Sequence, residues 1–332
     1  MTWFETLTGF TEESPKQVRE NIAVDGDTLK SNRNGKVFVS GQLEIPSLVQ
    51  LREQVRDTGY RVGKLSVREV VADVQNLHTN HANAGAMFQV ASQFNLLEMG
   101  SPDATPESGV GIYQNDHTQG PACAIAAGAG TIYRNYFAIV NGQMGQSAEN
   151  QIDCLADLGT ALENSQGRLW EMKNGYALAS QKGLKEISNR IRASSANELD
   201  ELRQSLRIGI QWNTQVTLNA SRHLVSQAYC SALPIAYSPH SSALWADFAR
   251  LVLEASYEAT ICAAIINSMR NGDNRLFLTL LGGGVFGNET DWIIGGIQRA
   301  LSLYQDADLD VSIVSYGSSK REVQQLISQW LK

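Results

Sequence analysis

Residues 275–317 read RLFLTLLGGGVFGNETDWIIGGIQRALSLYQDADLDVSIVSYG, and this stretch decides the fold. The apolar segment 275–281 predicts a buried strand, residues 292–304 predict a helix, and residues 311–314 predict a further strand. Alternation of strands and helices is typical of a parallel sheet that helices cover on both faces. We therefore predict an α/β fold with three layers, α/β/α, and a mixed, mostly parallel sheet.

Segments outside this stretch extend the same pattern. Residues 86–99 are apolar on both faces at their centre, which predicts a strand buried inside the sheet. Residues 66–78 carry valine and leucine at helical spacing, so we predict a helix that lies with one face on the sheet. Residues 224–237 predict another strand, and residues 242–267 predict a long helix.

The chain contains no internal repeat, low-complexity tract or linker that would mark a domain boundary, so we predict a single domain over residues 1–332. Residues 146–218 differ from the rest. They predict polar helices, one of which opens with a capping box formed by Ser195 and Glu198, and a hairpin turn at Asn174-Gly175. We interpret residues 146–218 as an insertion or cap.

The composition argues against several kinds of partner. A formal net charge of −7 over 332 residues gives no basic surface for direct nucleic-acid binding or for an anionic membrane. The start of the chain lacks the pattern of a signal peptide, and we expect a cytoplasmic protein. The four cysteines show no metal-ligand spacing, so we expect buried thiols and no disulfide, metal or cofactor.

A glycine loop, residues 282–288, stands between the predicted strand and the predicted helix. Glycines let backbone N–H groups turn toward a phosphate, and the start of the following helix adds a partial positive charge. The loop matches neither a Walker motif nor a dinucleotide fingerprint, because each requires residues that are missing here. The alternative is a tight turn with no ligand. Phe286, an aromatic residue at the loop tip, favours ligand binding because it can cover a sugar or a base.

The strand, loop, helix and strand of residues 275–317 resemble the last such unit of the macrodomain superfamily. In that superfamily a loop with the pattern Gly-x-Phe/Tyr-Gly wraps the diphosphate of ADP-ribose, and its aromatic residue packs on the distal ribose. The resemblance covers this part of the chain only. It implies that the ligand is contacted by Gly283, Gly284, Val285, Phe286, Gly287 and Asn288.

A second ligand loop in the superfamily carries an asparagine and glycines, and in the poly(ADP-ribose) glycohydrolase branch it leads into a Gln-Glu-Glu helix start. This chain has the same order of parts: Asn95 follows a predicted strand, and Gln119 and Gly120 lead into a helix of small residues. It lacks the triple glycine after Asn95 and the paired glutamates after Gln119. The resemblance therefore implies ADP-ribose binding at Asn95, Gln119 and Gly120, whereas hydrolysis stays an open alternative.

Two carboxylates are the candidates for catalysis. Glu98 and Asp116 each lie beside a predicted loop at the ligand edge, where partial burial raises a carboxyl pKa toward the range of a general acid. The alternative for either residue is an ordinary solvated loop acid. Asn95 and Gln119 present a similar choice, between hydrogen bonds to ribose hydroxyls and hydrogen bonds to the loop backbone.

The histidines raise the question of a metal. His78 and His81 lie three residues apart, but no acidic partner follows at close spacing, so we predict a pair on the surface and no zinc or iron site. His117, beside Asp116, is better placed for chemistry. A Ser-His-Asp triad finds no support, because the chain has no Gly-x-Ser-x-Gly motif.

Together these observations predict a protein that binds ADP-ribose or a related nucleotide diphosphate, with hydrolysis of an ADP-ribosyl linkage as the reaction that the resemblance implies. Its partner would be an ADP-ribose-type small molecule or an ADP-ribosylated protein. The alternative is a noncatalytic nucleotide-binding or protein-interaction module, for which a filled cleft would be expected. A metal-dependent hydrolase of another α/β type is the third interpretation.

Overall fold

The computed structural model describes residues 1–60 and 62–330. In chain order the helices are α1 (Trp3–Thr8), α2 (Pro15–Asn21), α3 (Leu48–Thr58), α4 (Val74–Thr79), α5 (Gln119–Ala126), α6 (Gly128–Tyr136), α7 (Ala156–Ala161), α8 (Gln181–Ala193), α9 (Ala196–Gln204), α10 (Ser242–Asn271), α11 (Thr290–Leu303) and α12 (Arg321–Trp330). The strands are β1 (Ile22–Asp25), β2 (Thr28–Ser31), β3 (Val37–Val39), β4 (Gln42–Glu44), β5 (Ser66–Val71), β6 (Met87–Ala91), β7 (Ile139–Val140), β8 (Gln143–Met144), β9 (Trp170–Lys173), β10 (Tyr176–Ala179), β11 (Gly209–Gln215), β12 (Leu224–Cys230), β13 (Arg275–Thr279) and β14 (Asp310–Ser315).

Seven of these strands form the central sheet, in the order β4-β11-β12-β6-β13-β14-β5. The neighbours from β12 to β5 are parallel, whereas β4 and β11 are antiparallel to the strands beside them. The predicted mixed, mostly parallel sheet is therefore confirmed.

Helices cover both faces of the sheet because successive side chains of a strand point to opposite sides. In β6, the ring of Phe88 stacks on His78 of α4 with centroids 3.9 Å apart. The next side chain, Gln89, donates a hydrogen bond to Thr260 of α10 on the other face. The three-layer α/β/α arrangement follows, with the buried helix α10 on one face and α4, α5 and α6 on the other.

Three predicted elements differ from the observed ones. The strand predicted over 224–237 ends at Cys230, and a short 3₁₀ helix covers Ile235–Tyr237. The predicted helix over 66–78 is a strand, β5, followed by the short helix α4, which Asp73 caps. The valines that match helical spacing are β-branched, and pairing along β14 selects the strand. The strand predicted over 86–99 ends at Ala91, and the residues after it form a buried irregular segment.

Residues 146–218 contain the predicted hairpin, β9 and β10, and the capping box at Ser195. They also contain β11, which pairs with β4 and β12 inside the central sheet. The helical part of this segment therefore ends before residue 209, and its last strand is part of the main fold.

Buried polar and sulfur side chains complete the core. His78 is fully buried, so the predicted surface pair with His81 is wrong. All four cysteines are buried and unpaired with one another. Within the described part of the chain, His, Cys, Asp and Glu form no group of three that could hold a metal ion, and no helix has the length and apolarity needed to cross a bilayer.

Candidate functional site

A crevice opens where two central strands separate. Strands β6 and β13 pair only at their first residues, Met87 with Leu276 and Phe88 with Phe277. Beyond this point the strands diverge, and a cavity of about 190 Å³ lies between their ends. Ligands of parallel α/β sheets bind at this place, beyond the carboxyl ends of the strands.

Two glutamine side chains replace the hydrogen bonds that the separated strands cannot make with each other. Gln89 Oε1 accepts from the N–H of Thr279 at 3.2 Å. Gln119 Oε1 accepts from the N–H of Ala91 at 2.8 Å, and its Nε2 donates to the carbonyl of Gln89 at 2.8 Å. Gln119 thus lines the cavity, but both atoms of its amide bind backbone.

The glycine loop is held in a fixed shape by its own hydrogen bonds. The N–H of Asn288 donates to the carbonyl of Gly282 at 2.9 Å, and Asn288 Nδ2 donates to the carbonyl of Leu233 at 2.9 Å. Gly282 has φ +75°, and a Cβ there would lie 2.4 Å from Ala232. A side chain at residue 282 is therefore excluded both by conformation and by space.

The amides of the glycine loop divide into two sets. Those of Gly283, Gly287 and Asn288 donate to the carbonyls of Leu280, Gly284 and Gly282, respectively. Among the residues that the structure describes, the N–H groups of four others donate to no protein acceptor: Gly282, Gly284, Val285 and Phe286. These four residues also line the cavity. The loop therefore brings Gly284, Val285 and Phe286 of the predicted set to the cavity, while Gly283, Gly287 and Asn288 shape it from outside.

Three aromatic rings form one wall of the cavity. Phe286 lies 5.4 Å from Tyr176 and 5.7 Å from Tyr237 between ring centroids, and the two tyrosines are 5.1 Å apart. Tyr176 comes from the hairpin within residues 146–218, whereas Tyr237 follows β12. Phe286 and Tyr237 are partly exposed and can offer ring faces to a sugar or a base, whereas Tyr176 is buried against them.

Another wall of the cavity is the acid loop, which we define as residues 92–118. Its first turn is closed by side chains: Gln93 Oε1 accepts from the N–H of Met99 at 2.8 Å, and Asn95 Oδ1 accepts from the N–H of Leu97 at 3.1 Å. Asn95 Nδ2 donates to Gln151 at 2.8 Å. Asn95 is fully buried in these contacts, and the structure does not bring it to the cavity.

The hairpin of β9 and β10 supports the acid loop. The Tyr176 hydroxyl donates to the carbonyl of Met99 at 2.6 Å, and the N–H of Phe94 donates to the carbonyl of Gly175 at 3.0 Å. A Cβ on Gly175 would lie 2.6 Å from Gln93 and Asn95, and its φ is +80°. Glycine in the Asn-Gly turn is thus required for the close approach as well as for the turn.

Glu98 is a buried carboxylate at the cavity wall. Only 2% of the residue is exposed, and its Oε1 lies 3.4 Å from Nη2 of the fully buried Arg134. Its Oε2 is buried without a hydrogen-bond partner in the described part of the chain. Burial raises the pKa of Glu98 to about 7, because desolvation outweighs the attraction of the Arg134 guanidinium.

A chain of buried groups holds Arg134 in place. Its Nε donates to the carbonyl of Leu96 at 3.0 Å, and its Nη1 donates to the Tyr229 hydroxyl at 2.5 Å. Tyr229 donates to Gln227, whose Nε2 lies 3.0 Å from Nε2 of His78. Burial lowers the pKa of His78 to about 4, so this ring is neutral at pH 7 and accepts the Gln227 hydrogen bond.

Asp116 and Gly120 lie where the acid loop meets helix α5. Asp116 is half-buried, lines the cavity and accepts a hydrogen bond from the N–H of Thr118 at 2.8 Å. A Cβ on Gly120 would lie 1.9 Å from the carbonyl oxygen of Ala91. Glycine is therefore required at residue 120 for α5 to begin against the end of β6.

Fold and crevice together define an α/β protein with a ligand cavity at the carboxyl edge of its sheet. Three solved structures similar to it are poly(ADP-ribose) glycohydrolases. A mutant enzyme from Deinococcus radiodurans in complex with ADP-ribose is 10% identical, covers 87% of this chain and 94% of its own, and has a TM-score of 0.47. Another ADP-ribose complex of that enzyme has the same identity and coverage and a TM-score of 0.45.

The enzyme from Thermomonospora curvata, bound to the inhibitor ADP-HPD, is 12% identical over 95% of each chain, with a TM-score of 0.44. At these identities the likeness concerns the architecture alone. Neither a protein-family model nor a curated protein matches the sequence.

Proposed function

We propose that this protein binds ADP-ribose or a related nucleotide diphosphate in the crevice and hydrolyses an ADP-ribosyl linkage there, in the cytoplasm. The observation that carries the proposal is one cavity bordered by open loop amides on one side and by a buried carboxylate with an unpartnered oxygen on the other. The open cavity also favours a ligand site over the noncatalytic scaffold, for which we expected a filled cleft.

The glycine loop suits the diphosphate. Gly284, Val285 and Phe286 offer N–H groups at the cavity, and helix α5 begins on the same cavity with Gln119 and Gly120. Backbone N–H groups and a helix start bind phosphate without any lysine or arginine. Phe286 and the two tyrosines next to it supply the aromatic surface for the sugar.

Glu98 suits the hydrolytic step. A carboxyl group with a pKa of about 7 is partly protonated at neutral pH, as a general acid must be. Its Oε2 is buried and has no hydrogen-bond partner among the described residues, so we assign it as the oxygen that a bound ligand would contact. In this assignment Glu98 protonates the departing group and its carboxylate then accepts a proton from the attacking water, while Asp116 contacts the ligand.

The test has two parts. Titration calorimetry with ADP-ribose should give a measurable affinity and a rise in Tm, and the absence of both at millimolar ligand would refute binding. With an ADP-ribosylated substrate, Glu98→Gln should lower kcat by about 10²–10⁴, the usual contribution of a general acid. Asp116→Asn should lower it much less, and retained turnover in Glu98→Gln would refute the assignment of the acid.

A further inference from the structure

A second cleft, open to the surface, adjoins the cavity at Glu98. It has a volume of about 400 Å³ and is lined by Ile112, Tyr113, Asn115 and His117 of the acid loop. Glu98, Gly100 and Asp116 line both this cleft and the cavity. The candidate general acid therefore lies at the junction of two spaces, and a ligand that reaches Glu98 from the cavity has room for a further group beyond it.

Asp116 gives the junction a negative charge that no cation of the described lining faces. Within the described chain, neither lining includes a lysine or an arginine. Arg134 is the only lysine or arginine between positions 69 and 167, and its buried guanidinium is occupied by Glu98, Leu96 and Tyr229. Asp116 has no ion-pair partner among the described residues, and the exposed His117 beside it is the only other titratable side chain of the cleft besides Glu98 and Tyr113.

A second observation points to a ligand with hydrogen-bond donors. Glu98 Oε2 is buried and accepts no hydrogen bond within residues 1–60 and 62–330. A buried carboxylate oxygen without a donor is costly, and a bound N–H or O–H group would satisfy it. The junction thus combines Asp116, which has no ion-pair partner among the described residues, with Glu98 Oε2, a buried acceptor without a donor.

We propose that the ligand carries a cationic nitrogen group on the anomeric carbon of its distal ribose and that this group enters the cleft beside Asp116. This inference rests on the proposed function and names its substrate class. Two sources share the chemistry, the guanidinium of an ADP-ribosylated arginine and the pyridinium of NAD⁺. An ADP-ribose polymer would instead bring another diphosphate close to the Asp116 carboxylate.

The reaction balances with water alone. For the arginine linkage, the bond between the anomeric carbon and the guanidinium nitrogen breaks, and both bonding electrons leave with nitrogen. Protonated Glu98 gives its proton to the neutral guanidine, the water oxygen bonds to the anomeric carbon, and the Glu98 carboxylate takes a proton from that water. The product guanidinium stays paired with Asp116 until it dissociates.

The experiment measures discrimination between linkages. Glu98→Gln is used as a slow variant, and its Kd is measured for ADP-ribose, an arginine-linked peptide, NAD⁺, a serine-linked peptide of matched sequence and poly(ADP-ribose). At least one cationic ligand should bind about tenfold or more tightly than the serine-linked peptide and the polymer, as a charge-assisted contact with Asp116 implies. Which of the two binds more tightly identifies the source of the cation.

A second substitution assigns the preference to Asp116. In the otherwise unaltered chain, Asp116→Asn should remove most of the preference for the cationic ligand in kcat/KM, since the amide still accepts from Thr118 but carries no charge. Glu107→Gln is the matched control, because Glu107 belongs to the acid loop but lines neither space, and it should keep the preference.

Two results would overturn the inference: equal affinity for all linkages, or a preference that survives Asp116→Asn. If ADP-ribose itself fails to bind the unaltered protein, the proposed function fails first, and the two failures are therefore distinguishable.

Discussion

The glycine loop and the acid loop border one crevice but are built in different ways. The glycine loop offers backbone amides, and its shape depends on contacts within a few residues or with the segment after β12. The acid loop offers a side chain, Glu98, whose state depends on Arg134, Tyr229 and other groups far away in sequence. The shape of the glycine loop is thus a largely local property of the chain, whereas the environment of Glu98 is a property of the whole core.

The largest expected effect is on stability, and it distinguishes Gly120, which is tightly packed, from Gly284, which has open space around it. Gly120→Ala puts a Cβ 1.9 Å from the carbonyl of Ala91, so we expect the free energy of unfolding to fall by roughly 3 kcal/mol or more. Gly284→Ala meets nothing within 4 Å and should change stability by less than about 1 kcal/mol.

Urea unfolding of the two variants measures this difference. Equal stabilities would mean that helix α5 can withdraw from β6, and the close approach would then not be required by the fold. The Gly284→Ala variant also sharpens the comparison of the loops, because its methyl group lies at the cavity and tests ligand affinity in an intact fold.

The second prediction concerns the pH dependence of stability. The pKa of Glu98 rises from 4.5 to about 7 on folding, so between these values the folded chain binds more protons than the unfolded chain. The free energy of unfolding therefore falls as pH rises from about 4.5 to 7, by an amount on the order of 1–3 kcal/mol from this residue.

Subtraction isolates the contribution of Glu98. The glutamine of Glu98→Gln cannot titrate. Relative to this variant, the unaltered chain should therefore lose stability as pH rises from about 4.5 to 7, and the difference in unfolding free energy should stay constant above pH 7. Parallel curves from pH 4.5 to 8 would show that Glu98 ionises in the fold as it does in water.

The smallest effect should come from the aromatic wall. Phe286→Ala removes a ring in contact with Tyr176 and Tyr237, and we expect ADP-ribose to bind about tenfold more weakly, in line with one lost stacking contact. Val285→Ala is the control: this side chain is 54% exposed, and its loss should change Kd only about twofold. Equal effects of the two substitutions would argue against a role of the ring.

The sequence predicts the parts of the fold that are local. The strand β13, the glycine loop, α11 and β14 follow one another without interruption, so hydrophobic pattern and loop composition agree. The pattern of residues 66–71 fits both a helix and a strand, and only their pairing with β14 selects the strand. That pairing is a tertiary contact, which the sequence of the segment alone does not reveal.

The site divides in the same way. Glu98 is recognisable as an acid beside a loop, but its raised pKa depends on burial that no local pattern records. Arg134 carries a signal in the sequence: it is the only lysine or arginine between positions 69 and 167, and it lies within a helix of small and apolar residues. Tyr176 had none, because a hairpin far along the chain brings it to the cavity.

The glutamines at the divergence of β6 and β13 also affect how much the sheet would have to rearrange when a ligand binds. Gln89 and Gln119 already form hydrogen bonds with backbone groups at the strand ends. A ligand in the cavity would therefore not have to break hydrogen bonds of the sheet. We therefore expect the sheet to rearrange little on binding. Hydrogen exchange at the amides of Ala91 and Thr279 should be slow both with and without ligand.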